Sequence, residues 1–122
     1  VVDSGFKVVL APTVAEVVAS NLPAAVDALL TAQNLSRSDL AFFVGHPGGP
    51  KVLRSAAQAM GLSDDDFALS WESLARFGNM SSTSVLFVLA DQLAAGVPPD
   101  SHGLLFAFGP AFCAELTVLN TP

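Results

Sequence analysis

The stretch Leu40-Ala41-Phe42-Phe43-Val44 running straight into Gly45-His46-Pro47-Gly48-Gly49-Pro50 constrains the fold more than any other feature of the chain. A short continuous apolar run has no polar face to turn to water, so as a strand it must be covered on both sides. The Gly/Pro cluster ends it. Pro50 is suited to the first position of a helix, because its fixed φ is helical and its missing N–H would be unpaired there anyway. That helix is predicted to reach about Met60, with Gly61 closing it. Strand, tight turn and helix in that order place the chain in the α/β class.

The flanking segments fit the same layer. Gly5-Phe6-Lys7-Val8-Val9-Leu10 reads as a short strand. From Thr13 the spacing of Val14, Val17, Val18 and Leu22 predicts helix over 13–33, with Pro23 expected to kink it or split it in two. Ser63 followed by Asp64, Asp65 and Asp66 is expected to cap a helical stretch reaching Arg76 and ending at Phe77-Gly78. A further helix is predicted from about Ser82 to Ala95, then a loop from Val97 to Gly103. Two strands, Leu104 to Phe108 and Cys113 to Leu119, are spaced for an antiparallel hairpin. The expected fold is a mixed sheet packed with helices on one or both faces.

Composition matters here for what it leaves uncovered. Hydrophobic residues make up 52% of the 122-residue chain and charged ones only 13%, with a mean hydropathy of +0.56. No unbroken apolar run approaches the roughly 18 residues of a membrane span. The excess therefore predicts a face buried against another half of the same polypeptide or a partner subunit. The opening at Val1 shows neither a methionine nor a secretory leader, so a fragment of a longer chain is expected. A net charge of −6, with Lys7, Arg37, Lys51, Arg54 and Arg76 as the fixed cations, offers no basic stripe for nucleic acid. The single cysteine excludes an internal disulfide and, with no leader visible, points to the cytoplasm.

The chemistry-bearing pair is His46, at the end of the predicted buried strand, and Asn79, just before a predicted helix in Phe77-Gly78-Asn79-Met80-Ser81-Ser82. Loops after strand ends and at helix starts are where reactive groups gather in α/β sheets. Together the two can donate hydrogen bonds to one carbonyl oxygen and stabilise an enolate or oxyanion, and the histidine can also lower the pKa of a cysteine. Taken alone, each has a plainer reading: a histidine in a Gly/Pro turn is usually structural, and an asparagine before a helix is usually its cap. Spacing does not decide between them.

The strings themselves decide. Gly45-His46-Pro47-Gly48-Gly49-Pro50 resembles the histidine motif of chalcone and stilbene synthases. Gly78-Asn79-Met80-Ser81-Ser82, followed by Ser84-Val85-Leu86-Phe87-Val88, resembles their asparagine motif and the helix after it. Phe106-Ala107-Phe108-Gly109-Pro110, followed by Glu115-Leu116-Thr117-Val118-Leu119, is similar to their Gly-Phe-Gly-Pro-Gly loop and last strand, with Ala107 and Ala111 standing where the family has glycine. The resemblance covers nearly the whole chain, in the family's order. It implies the C-terminal half of a thiolase-like fold, residues 1–122, in a type III polyketide synthase that is usually a homodimer. The nucleophilic cysteine would lie in an N-terminal half of the same polypeptide. A starter acyl-CoA would acylate it, and malonyl-CoA would lose carbon dioxide and condense with the resulting thioester. No cofactor is implied beyond the CoA thioesters used as substrates.

By that resemblance His46 would stabilise the cysteine thiolate, and His46 with Asn79 would hold the malonyl thioester carbonyl as it becomes an enolate. Ser81, Phe108, Gly109 and Pro110 would line the cavity. Gly48, Gly49 and Pro50 would form a turn whose free amides, at a helix N-terminus, can receive CoA, with Lys51 beside them; Lys51 lacks the sequence context of a phosphate-binding loop. Val8 aligns with a gatekeeper phenylalanine of the plant enzymes, and its smaller side chain would open the entrance to longer or bulkier starters. Alternatives are a β-ketoacyl-carrier-protein synthase III-like enzyme, which shares the fold, and a non-catalytic module that only dimerises or binds acyl-CoA. Other features are expected to be structural. Cys113 reads as a buried thiol in a strand, Asp64, Asp65 and Asp66 as a helix start rather than a metal site, and His102 as part of a solvated loop.

Overall fold

A computed structural model of the chain describes residues 13–109 and 113–122. The predicted strand over 5–10 and the expectations for Val8, Pro110 and Ala111 lie outside these residues. In chain order the elements are α1 (Val14–Ala32), β1 (Leu40–Gly45), α2 (Pro50–Met60), α3 (Ala68–Phe77), α4 (Thr83–Ala95), β2 (His102–Phe108) and β3 (Ala114–Asn120). The sheet is three-stranded in the order β1-β2-β3. β1 and β2 run parallel, with Gly45 opposite Phe106, and β2 and β3 form the expected antiparallel hairpin.

Alternation along β1 explains why its apolar run is continuous. Phe43 points into a core with Val18, Leu22, Val26 and Leu30 of α1, Val52, Ala56 and Met60 of α2, and Leu104 and Phe106 of β2. Phe42 and Val44 point the other way, onto Val85 and Val88 of α4. Each neighbour along the strand thus serves a different helical layer. Phe67 stands edge-on to Phe106, with ring centroids 5.5 Å apart. A Cβ added at Gly45 would lie 2.8 Å from the Phe106 ring and 3.2 Å from Phe67. Gly45→Ala is therefore expected to lower stability by about 1–3 kcal/mol through overpacking, read as a lower urea midpoint of the complete enzyme.

Pro23 neither ends nor splits the first helix: α1 runs through it. The stripe Val18, Leu22, Val26 and Leu30 spans both sides of the proline and packs on the same core. Burying four such side chains, at about 1.5–3 kcal/mol each, outweighs the roughly 3 kcal/mol cost of an interior proline. By length and composition α1 could also cross a membrane, but that same stripe is buried in the core it shares with α2 and the sheet.

Three other expectations are corrected. The acidic stretch after Ser63 forms a separate 3-10 turn, Asp65–Phe67, before α3, and the capping runs in reverse: Ser63 N–H and Oγ both donate to Asp66, at 2.8 Å each. His102 belongs to β2 rather than a loop, because its ring pairs with Asn120 of β3 at 2.7 Å. Cys113 is exposed and precedes β3; its thiol donates to Glu115 at 3.5 Å, and that carboxylate raises its pKa.

The outer face of α4, turned away from the sheet, is apolar and uncovered. Leu86 is 59% exposed, Leu93 58% and Phe87 42%, with Phe77 at the end of α3 41% exposed. Phe77 and Phe87 stack on each other at 5.4 Å. The chain's apolar excess is concentrated here.

Candidate active site

His46 emerges from β1 at the carboxyl end of the parallel strand pair. Its N–H donates to Phe106 O at 2.9 Å, and its carbonyl accepts from Gly48 N–H at 2.8 Å. The preceding carbonyl, Gly45 O, accepts a 2.8 Å bond from the buried Ser70 hydroxyl of α3. His46 itself is only 7% exposed. Burial holds its pKa below the usual histidine value, so the ring is neutral near neutral pH. Among the described residues its Nδ1 has no partner. Gly48 lies against the ring: a Cβ there would stand 3.4 Å from Cδ2 and 3.5 Å from Nε2, in ordinary contact.

Asn79 arrives from the other direction. α3 closes where Gly78 N–H donates to Leu74 O at 2.9 Å. Gly78 then takes φ 70°, ψ −165°, a conformation that is essentially glycine's alone. The turn delivers Asn79, whose Nδ2 donates to Gly48 O at 3.2 Å and whose Oδ1 accepts from Ser81 N–H at 2.8 Å. Those two bonds fix which way the amide faces and leave its second N–H without a partner among the described residues. Ser81 carries φ +63°, a strained value for a residue with a side chain. Its neighbours hold it there: Ser84 N–H donates to Ser81 O at 3.1 Å, and the buried Ser84 Oγ accepts from Met80 N–H at 2.7 Å.

Gly48 is thus the hinge of the site. Its Cα faces the His46 ring, its N–H holds the His46 carbonyl, and its own carbonyl receives Asn79. Residues far apart in sequence are joined into one rim, and Phe108 and Gly109 leave β2 at the same end, just beyond the strand's bond to His46. Ala107 sits in β2 opposite Glu115 and is not among the residues with positive φ, so alanine fits there without strain.

The helix start at Pro50 differs in one respect from expectation. The Gly48 N–H is taken by His46 and Pro50 has none, so the amides without an acceptor among the described residues are those of Gly49, Lys51 and Val52. Gly49, at φ 149°, ψ 161°, makes the bend into α2. Lys51 is exposed beside it. Ser70 and Ser84 carried no signal as site residues: each is a serine within a helix, and its role exists only once a distant or turning backbone is brought to it.

The comparisons with known proteins identify the family. The family model for the C-terminal domain of chalcone and stilbene synthases matches residues 1–121. A 1,3,6,8-tetrahydroxynaphthalene synthase from Streptomyces peucetius subsp. caesius is 42% identical over 118 residues, 96% of this chain and 31% of that protein. Crystal structures of PKS-I from the brown alga Ectocarpus siliculosus (34% identical) and of 1,3,6,8-tetrahydroxynaphthalene synthase from Streptomyces coelicolor A3(2), a bacterial type III polyketide synthase (29% identical), superpose with TM-scores of 0.85 each. Each superposition covers 97% of this chain, and 33% of the algal and of the Streptomyces chain. The chain spans about a third of the length of the relatives it matches. With the His46 turn and the Asn79 turn locked together at one end of a mixed sheet, this chain belongs to the chalcone and stilbene synthase family of type III polyketide synthases, as the C-terminal domain of its thiolase-like fold.

Proposed function

We propose that the complete enzyme is an acyltransferase that builds polyketides by decarboxylative condensation of malonyl-CoA onto an acyl-CoA starter, and that this chain supplies His46 and Asn79 to it. The carrying observation is the 3.2 Å bond from Asn79 Nδ2 to Gly48 O, which ties the asparagine to the turn that holds His46. The starter acyl group is held as a thioester on a cysteine of the N-terminal half. The malonyl carboxylate then leaves as carbon dioxide, and its C–C bonding pair passes into an enolate. That enolate's oxygen takes hydrogen bonds from the His46 Nε2–H and from the free Asn79 N–H. Its carbon attacks the acyl-cysteine carbonyl, forming the new C–C bond and expelling the thiolate. Donors placed where charge develops favour the transition state over the bound substrate.

Lys51 and the open amides of Gly49, Lys51 and Val52 receive the CoA portion. Ser81, Phe108, Gly109, Pro110 and Val8 shape the cavity in which the chain grows. The N-terminal half covers the α4 face, two copies of the complete enzyme form a homodimer, and the cytoplasm supplies the CoA thioesters. The isolated chain is inactive, since its one thiol, Cys113, is exposed and has its pKa raised by Glu115, which keeps it from serving as the nucleophile.

The test is a product assay on the complete enzyme with malonyl-CoA and short to long acyl-CoA starters, read by mass spectrometry. Pyrones or resorcinols are expected, with kcat falling about 100- to 1,000-fold in His46→Ala. Single condensation products formed only with acyl-carrier protein would point instead to a synthase III enzyme. No turnover with any starter would point to a binding module.

A further inference from the structure

We infer that Ser70 is a positioning residue for His46, acting through the peptide bond that enters the histidine. Gly45 C=O and His46 N–H belong to one rigid peptide plane. The carbonyl end accepts from Ser70 Oγ at 2.8 Å, and the amide end donates to Phe106 O at 2.9 Å. β1 is an edge strand among the described residues, so Gly45 O, on the side away from β2, points off the sheet, where a further strand would otherwise supply a donor. Ser70 fills that place from α3 and is fully buried. The plane is gripped from both sides, which fixes the His46 Cα–Cβ direction. The ring then has only its own two torsions to settle, against Gly48.

Ser73 provides an internal contrast. It lies on the same helix and is equally buried, but among the described residues its hydroxyl has no partner, the His46 peptide included. Losing the Ser73 hydroxyl removes an unsatisfied group; losing the Ser70 hydroxyl releases the histidine.

The inference rests on the decarboxylase reading of His46, and the experiment separates the two. In the complete enzyme, Ser70→Ala is expected to lower kcat for malonyl-CoA decarboxylation by about tenfold to a hundredfold with little change in KM. Ser70→Thr, which keeps the hydroxyl, restores it, and Ser73→Ala leaves kcat at the wild-type value. Independently of turnover, carbethoxylation of His46 by diethyl pyrocarbonate, followed by peptide mass spectrometry with His102 as reference, is expected to quicken in Ser70→Ala and not in Ser73→Ala. Should Ser70→Ala fail to fold, Ser70→Cys, close in size but a weak donor, is expected to show the same losses. Wild-type kcat and wild-type His46 modification in these variants would overturn the inference, as would equal impairment in Ser70→Ala and Ser70→Thr. A wild-type enzyme that decarboxylates nothing would overturn the functional reading, while the modification rates would still decide the role of Ser70.

Discussion

Asn79→Asp, made in the complete enzyme, is expected to lower malonyl-CoA decarboxylation by about a thousandfold or more while leaving acylation of the active-site cysteine intact. The substitution is nearly isosteric, and it keeps the oxygen that accepts from Ser81 N–H at 2.8 Å, so the strained turn at Ser81 retains its anchor. What it removes are the two N–H groups of Nδ2. One of these donates to Gly48 O at 3.2 Å; the other is the donor proposed for the enolate. In their place stands a carboxylate oxygen facing a carbonyl on one side and a developing negative charge on the other. Loss of one such donor typically costs about a hundred- to a thousandfold in kcat, and like-charge repulsion adds to it. In the proposed mechanism, loading of the starter needs the cysteine and His46 but no enolate, so a mass shift of the acylated enzyme should still appear. Decarboxylation at the wild-type rate in Asn79→Asp would remove Asn79 from the mechanism; loss of loading as well would mean the turn had collapsed.

The elements legible in the sequence are those whose signals are local. Pro50 and Gly61 bracket α2 as read, because a proline start and a left-handed glycine stop are both encoded in single residues. The run through Val44 gave the strand and its two-sided burial, and the motif strings placed His46 and Asn79. What the sequence hid depends on partners elsewhere in space. Pro23 looked like a break, but a stripe of valines and leucines on both sides of it packs on one core and carries the helix through. His102 looked like loop, yet its ring pairs with Asn120 across the hairpin. Cys113 looked buried in a strand, whereas it stands exposed just before β3 begins. Within the site, the family resemblance implied one chemistry for His46 and Asn79, but not that Gly48 is what joins their turns. A glycine carbonyl has no side chain to announce its role, and the contact spans two loops with α2 and α3 between them.

The uncovered face of α4 leads to the second large effect. In the isolated chain Leu86 is 59% and Leu93 58% exposed, so Leu86→Asp there should change stability by no more than about 0.5 kcal/mol, as for an ordinary surface site. In the complete enzyme, with the N-terminal half seated on α4, the same substitution forfeits about 1.5–3 kcal/mol of leucine burial and leaves an unpaired carboxylate in an apolar interface. The expected result is a loss of about 3 kcal/mol or more, read as a large drop in urea midpoint or in soluble yield, against near-neutrality in the isolated chain. The wild-type isolated chain should meanwhile associate through this face, eluting ahead of a monomer on gel filtration and binding an apolar dye, with Leu86→Asp weakening both. The comparison is informative because substitution chemistry is the same in each protein and only the cover differs. A complete enzyme indifferent to Leu86→Asp, or a clean dye-free monomer of the isolated chain, would mean that α4 faces water in the working enzyme. Its run of Leu86, Phe87 and Leu93 would then need another explanation, because an exposed apolar stripe continuous with the Phe77–Phe87 stack is a standing liability for aggregation unless something covers it.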